Sequence, residues 1–354
     1  MQHEITTAHP LLDREGKLME PGYTKGLLLD YDRGAIKAKN FRIKEWDYYL
    51  ITTDAFGVAL TIADNSYMGL DSISLLDFSA PGEHTKSEMA FFTGGKKNLP
   101  PSSKEGSITS EKKTGKNKYM LDFKHNGDHR ILTFFMDNFH SGKPIKGQIR
   151  LENPSQESMV IATPFAGKPT AFYYNQKINC LPATGKVEFD GKTYEFEPGK
   201  SFGVLDWGRG VWTYKNTWYW GSASGSVEGV PFGFNIGYGF GDTSAASENM
   251  VFYNGKAHKL SQVTFNIPLK KKNAKDGPLI EDYMSPWTFS SDDGRFEMDF
   301  MPIIDRCAIT DFGVLCSNQH QVFGKFTGKV VLDDGETLHI SDFLGFAEKV
   351  FNKW

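Results

Sequence analysis

The stretch that most restricts what this chain can fold into is residues 201–225, SFGVLDWGRGVWTYKNTWYWGSASG, which holds Trp207, Trp212, Trp218 and Trp220. Phe202, Val204 and Asp206 alternate with Gly203, Leu205 and Trp207, and this period of two predicts a strand. A carboxylate on a face that begins with Phe and Val is expected to be shielded from bulk water. Gly208 and Gly210 flank Arg209 and permit backbone conformations that residues with a Cβ avoid, so a sharp turn around Arg209 is expected. Two outcomes follow. The turn brings Arg209 back to Asp206 as a structural ion pair at a tight corner, or it opens a cleft in which Asp206 serves as acid, base or anchor. The Trp218-Tyr219-Trp220 run, followed by small residues, predicts a second strand that something can approach closely.

At 354 residues the chain exceeds what one hydrophobic core usually supports. Two domains are expected: 1–165, an N-terminal arm plus a first β-barrel, and 166–354, a second β-barrel carrying the Asp/Arg/Trp-rich stretch. The 28 Phe and 14 Tyr beside 36 Gly suit an all-β protein with tight turns and curved sheets. Net charge is −3 with mixed signs, so no nucleic-acid partner is expected. No apolar run reaches membrane-spanning length, and the first residues lack the cationic start and apolar core of a secretion signal. A cytoplasmic location is the expectation. Cys180, Cys307 and Cys316 form no metal spacing, and the histidines show no HExxH pattern, so no metal is expected. With no G-x-G-x-x-G between a strand and a helix, no cofactor is expected either.

Along the chain, residues 1–40 read as a polar arm, and RIKEWDYYLITTD and the following segments to Phe78 read as three strands. The lysine-rich stretch 94–118 reads as a solvated loop, and 269–278 as another. Asn126-Gly127, Asp190-Gly191 and Asp334-Gly335 mark hairpin tips. Short helices are expected at 243–249 and at the C-terminal end. Tyr173, Tyr174, Asn175, Lys177 and Asn179 crowd hydrogen-bonding groups at the junction of the two halves, where pockets often form.

The order LDWGRGVW, WYWGSASG, SENMVFYNGK, QHQVFGKFTGKVVLDDGE and LGFAEKVFNKW, with KEWDYYLI, TIADNSYMG and YYNQKINCLPATG before it, resembles the bacterial domain-of-unknown-function family 2804. More remotely, the chain is similar to the lipocalin-like superfamily of hydroxyneurosporene synthase and kievitone hydratase. That resemblance implies two tandem lipocalin-like antiparallel β-barrels with the ligand held at or between them. It implies an acidic residue in a Trp- and Gly-rich strand, matched by Asp206, and a glutamate near the C-terminus, matched by Glu348. It departs at Trp207, where those relatives often carry histidine.

Three functions remain open on the residues. The first is a cofactor-free acid/base enzyme (hydratase, isomerase or cyclase type) acting on an apolar or amphipathic molecule. Asp206 would be its buried acid, and Glu248, Glu348 or His320 the second group. Trp207, Trp212, Trp218, Trp220, Tyr173 and Tyr174 would line the pocket, stabilising positive charge with their faces. Arg209, Asn175 and Asn249 would contact the ligand's polar atoms. The second is carbohydrate cleavage by paired carboxylates, and the third is a binding protein without turnover.

Overall fold

The computed structural model of the chain describes residues 2–272, 277–311, 313 and 316–353. Thirteen strands form one curled antiparallel sheet and nine form a second. In the first, the path runs from Gly82–Phe91 through Met68–Asp77, Phe56–Asp64 and Ile43–Thr52 to Phe202–Val211. It continues through Lys168–Phe189, Lys143–Glu152, His129–His140 and Tyr119–His125 to Gly106–Lys112. Its ends curl together where His84 stacks on His140 at 4.0 Å. In the second sheet Lys215–Val227 and Thr337–Lys353 pair at the centre, flanked by Val230–Tyr238 on one side and Cys316–Val331 with Phe296–Asp311 on the other. The chain changes sheets between Val211 and Lys215, well past residue 165. The three hairpin tips fall between paired strands as expected.

Each sheet encloses its own core. Leu60, Ile62, Leu121, Phe134, Ile149 and Leu205 pack inside the first. Phe232, Phe234, Phe289, Phe296 and Phe326 pack inside the second. A third, smaller cluster lies where the sheets meet and contains Tyr48, Leu50, Val204, Trp220, Phe323 and Phe346.

The expected turn at Gly208-Arg209-Gly210 does not form. Phe202–Val211 is one unbroken strand in register with Ile43–Thr52 on one side and Lys168–Phe189 on the other, and all ten of its residues are buried. Successive side chains therefore alternate between two interiors. Leu205, Trp207 and Val211 face the first core, and Val204 faces the seam. The glycines serve close packing. A Cβ on Gly208 would lie 1.9 Å from the Trp46 ring, which crosses the strand at that point.

Other expectations are corrected as well. Residues 1–40 are no free arm: Ile5, Leu11, Leu29 and Tyr31 are buried in the first core, and Gly22–Thr24 pairs with Met159–Phe165. The 94–118 loop contains the strand Gly106–Lys112. Leu269–Lys271 and Leu279–Glu281 pair as a short ribbon around 273–276, which lie outside the described residues. The C-terminal end continues the strand Thr337–Lys353, and 243–249 is turn and coil. Among the described residues the helical pieces are two 3-10 turns, Arg33–Ala35 and Asn40–Arg42, and no helix is long and apolar enough to cross a membrane.

Because Trp46 fills the space that a Cβ would need, Gly208→Ala is expected to push the indole off its stack with Tyr173 and cost about 1–3 kcal/mol of stability. A urea midpoint equal to wild type would show that the seam absorbs the methyl group.

A candidate site at the seam of the two sheets

Strand alternation divides the residues that the sequence nominates. On Phe202–Val211, Asp206 faces the seam; on Lys168–Phe189, so do Tyr173, Asn175 and Lys177. Lys177 stands opposite Asp206 in register, and its Nζ lies 2.9 Å from Asp206 Oδ1. Asn175 Nδ2 donates to the same oxygen at 2.6 Å. Lys177 Nζ also sits 3.8 Å from the centre of the Trp220 ring, which belongs to the second sheet. The ion pair and the cation–π contact thus join the two sheets through one buried ammonium.

The second sheet contributes two carboxyls. Trp220, Glu348, Gln321 and Arg306 form a cross-strand row on the face turned to the seam. Trp218 Nε1 donates to Glu348 Oε1 at 3.0 Å, and Arg306 donates to Gln321, whose amide reaches Tyr48 Oη of the first sheet. Burial pushes the Glu348 carboxyl up to about 7, against the opposing pull of the Trp218 N–H and the Lys177 ammonium. Glu248, just before Met250–Tyr253, lies over Gly237, where a Cβ would come within 2.7 Å of its Oε1. Asn235 donates to its backbone oxygen at 2.8 Å and accepts from Trp220 Nε1 at 2.7 Å. Desolvation raises the Glu248 carboxyl too, with Lys177 opposing and Asp206 reinforcing the shift. Asp206, Glu248 and Glu348 therefore share Lys177 as a neighbouring cation, and Lys259 acts on Glu248 as well.

Beside them stands an aromatic wall. Trp46 stacks on Tyr173, and Trp212 meets Trp46, Trp218 and Phe240 edge to face at 4.8–5.8 Å. Trp46, Trp218 and Glu248 are half-buried, so the cluster meets solvent at this end. Asn175 Oδ1 is buried and accepts no hydrogen bond from the described residues.

The remaining nominated residues lie elsewhere. Arg209 is on the opposite face from Asp206, inside the first sheet. It donates to Asp47 at 3.0 Å and to the carbonyls of Trp46, Gly208 and Pro100, and it lies against Trp207. Its partner is Asp47, not Asp206. Tyr174 packs on Trp207 in the same interior and donates to Leu29 O. Asn249 accepts from Gly237 N and donates to Ser261 O, holding the chain that carries Glu248. His320 is on the face of the second sheet turned away from the seam, where its Nδ1 lies 2.7 Å from Asp305 Oδ2. An open cleft of about 650 Å³ lies in the first sheet, at Tyr31, Arg33, Glu45 and Pro100. There Tyr31 and Arg33 both donate to Glu45.

The family model described as "Domain of unknown function (DUF2804)" matches residues 2–354. The chain belongs to this family. No curated protein matches it in sequence. Among solved structures it is similar to kievitone hydratase from Nectria haematococca, with 12% identity, TM-score 0.51 and 88% of each chain covered. It is also similar to a protein given the provisional name AttH from Nitrosomonas europaea, with 12% identity and TM-score 0.51 over 92% of this chain and 97% of that one. At that identity the likeness establishes the two-sheet, lipocalin-like fold.

Lys177, which the sequence places at the pocket-forming junction without a role, joins the cluster, and so do Trp46, Tyr48, Asn235 and Phe240, to which the sequence gives no place in a site. Lys177 carried one legible signal: its spacing from Tyr173 and Asn175 puts all three on one strand face. The partners contributed by Ile43–Thr52 and Val230–Tyr238 carried none, because register decides them.

Removing the lysine paired with Asp206 leaves a buried carboxylate without its counter-charge, so Lys177→Met is expected to cost about 3–5 kcal/mol. Adding Asp206→Asn should recover most of that loss. A double-mutant cycle in urea with no coupling between the two would refute the pairing. Glu348 also links stability to pH. Its carboxyl keeps the proton up to about 7 in the folded chain, against an ordinary value of 4.5. The contribution is therefore complete below pH 4.5 and lost as pH rises through 7, a span of about 3 kcal/mol. In Glu348→Gln this slope should vanish from the pH dependence of unfolding.

Proposed function

We propose that the seam is the working site of the protein: a cofactor-independent acid/base centre for an apolar or amphipathic small molecule bound against the aromatic wall. The observation that carries this reading is Glu348, a buried carboxyl that exchanges its proton near neutrality, set beside a Lys177–Asp206 ion pair. A general acid works best when its pKa lies near the operating pH. Glu348 in its neutral form can protonate a carbon–carbon double bond or a leaving oxygen. Trp218 Nε1 then donates to the carboxylate that remains.

Positive charge developing on the ligand would be met by the faces of Trp46, Trp212, Trp218 and Tyr173. Trp220 is not free for this, since Lys177 occupies its face. Glu248, whose carboxyl is also raised and which lies at the half-buried end, is suited to orient water or take the second proton. Asn175 Oδ1 offers an acceptor for a hydroxyl on the ligand. Asp206 holds Lys177 in place and is an anchor, not the acid. A neighbour of the same fold named for a hydratase activity supports addition or removal of water as the reaction type.

The test is a panel of unsaturated apolar compounds and their hydroxylated counterparts. Binding is followed by tryptophan fluorescence and conversion by the gain or loss of one water in mass. Glu348→Gln should still bind, while its turnover falls roughly 10²- to 10⁴-fold. Unaltered turnover in that variant would overturn the assignment of the acid. Binding without any conversion in wild type would make the seam a carrier site.

A further inference from the structure

The strands that bring Glu348 to the seam carry a second constellation on their other face. One residue along from the Trp220–Glu348–Gln321–Arg306 row lies the row Tyr219–Lys349–His320–Cys307, turned toward the second core. There His320 Nδ1 lies 2.7 Å from Asp305 Oδ2, and His320 Nε2 lies 4.0 Å from Cys307 Sγ. The Tyr283 ring stacks on the imidazole at 3.8 Å and 11°, which fixes the ring plane. Cys307 is exposed and carries a free thiol. A nucleophile within reach of a base, itself oriented by a third group, is the arrangement that activates thiols in enzymes.

We propose that Cys307 is an activated thiol, with His320 as its base and Asp305 as the positioning residue, that adds to small α,β-unsaturated carbonyl compounds at the exposed end of the strand Phe296–Asp311. His320 Nε2 accepts the thiol proton as the Cys307 sulfur bonds to the β-carbon. The π electrons of the double bond move to form the enolate, whose α-carbon then takes the proton from His320. Thiol and alkene become a thioether with no redox change and no leaving group. The chemistry needs a nucleophile, a base and an orienting carboxylate, which is what the cluster contains. Burial, followed by the Asp305 charge, holds the Cys307 thiol above its ordinary range, so the resting group is the thiol and depends on the base.

Sulfur, imidazole and carboxylate atoms within 4.8 Å of one another could also hold a metal ion. The alignment favours the thiol reading. Asp305 lies at Nδ1 and Cys307 at Nε2 of the same imidazole, so the carboxylate orients the ring while the other nitrogen faces the sulfur.

The charged and titratable groups around His320 are Asp305 and Cys307 on its neighbouring strand, Lys349 opposite it in register, and Tyr283 with Glu281, which pairs with Lys349. The test uses the whole chain after EDTA treatment and N-ethylmaleimide as the alkene, with rates read by peptide mass spectrometry. Cys316, half-buried on the same sheet, is the internal reference. Cys307 should react at least about tenfold faster than Cys316. His320→Gln should bring it to the Cys316 rate, and Asp305→Asn should give an intermediate rate with a shifted pH midpoint. An unchanged Cys316 rate and circular dichroism in each variant establish that the fold is kept. Equal rates for the two thiols in wild type, or no effect of His320→Gln, would overturn the proposal. A wild-type rate that is low before EDTA and is suppressed again by zinc would replace it with a metal site.

Discussion

The structure depends on one strand being buried on both faces. Phe202–Val211 closes the first core with its odd-numbered residues and forms the seam with its even-numbered ones. A strand in that position can present nothing to water, so each charged residue on it must find a partner on its own side. Arg209 finds Asp47 and three carbonyls in one interior, and Asp206 finds Lys177 and Asn175 in the other. The two charges three residues apart never meet.

The seam then has a charge imbalance. Asp206, Glu248 and Glu348 gather around Lys177, with Lys259 also acting on Glu248 and Arg306 acting on Glu348. A region of low dielectric does not readily hold three anions against so few cations. The less costly arrangement keeps protons on the carboxyls that lack a direct ion pair. Asp206 takes the lysine; Glu348 and Glu248 are the groups left raised. Position relative to Lys177 thus sets apart acids of similar intrinsic strength.

Alternation also explains how a single set of strands serves two compartments. Cys316–Val331 and Thr337–Lys353 place Gln321 and Glu348 toward the seam, and His320 and Lys349 toward the second core. Adjacent residues in sequence thus belong to separate sites. From sequence, His320 and Glu348 stand as alternatives for the same second acid/base group; in the sheet they lie on opposite faces.

Local pattern settled much of this protein. Periodicity of two, hairpin tips at Asn-Gly and Asp-Gly, and aromatic–glycine composition determined an all-β chain of paired strands, because those signals act within a few residues. The importance of the 201–225 stretch was equally visible, as was its alternation. Only the tertiary structure decided which partner each charge has. Gly208 and Gly210 could signal a turn or a close approach; the Trp46 ring, brought by a strand more than a hundred residues away, makes it the second. Register between distant strands set Lys177 against Asp206 and Asp47 against Arg209, and no local propensity encodes such a pairing.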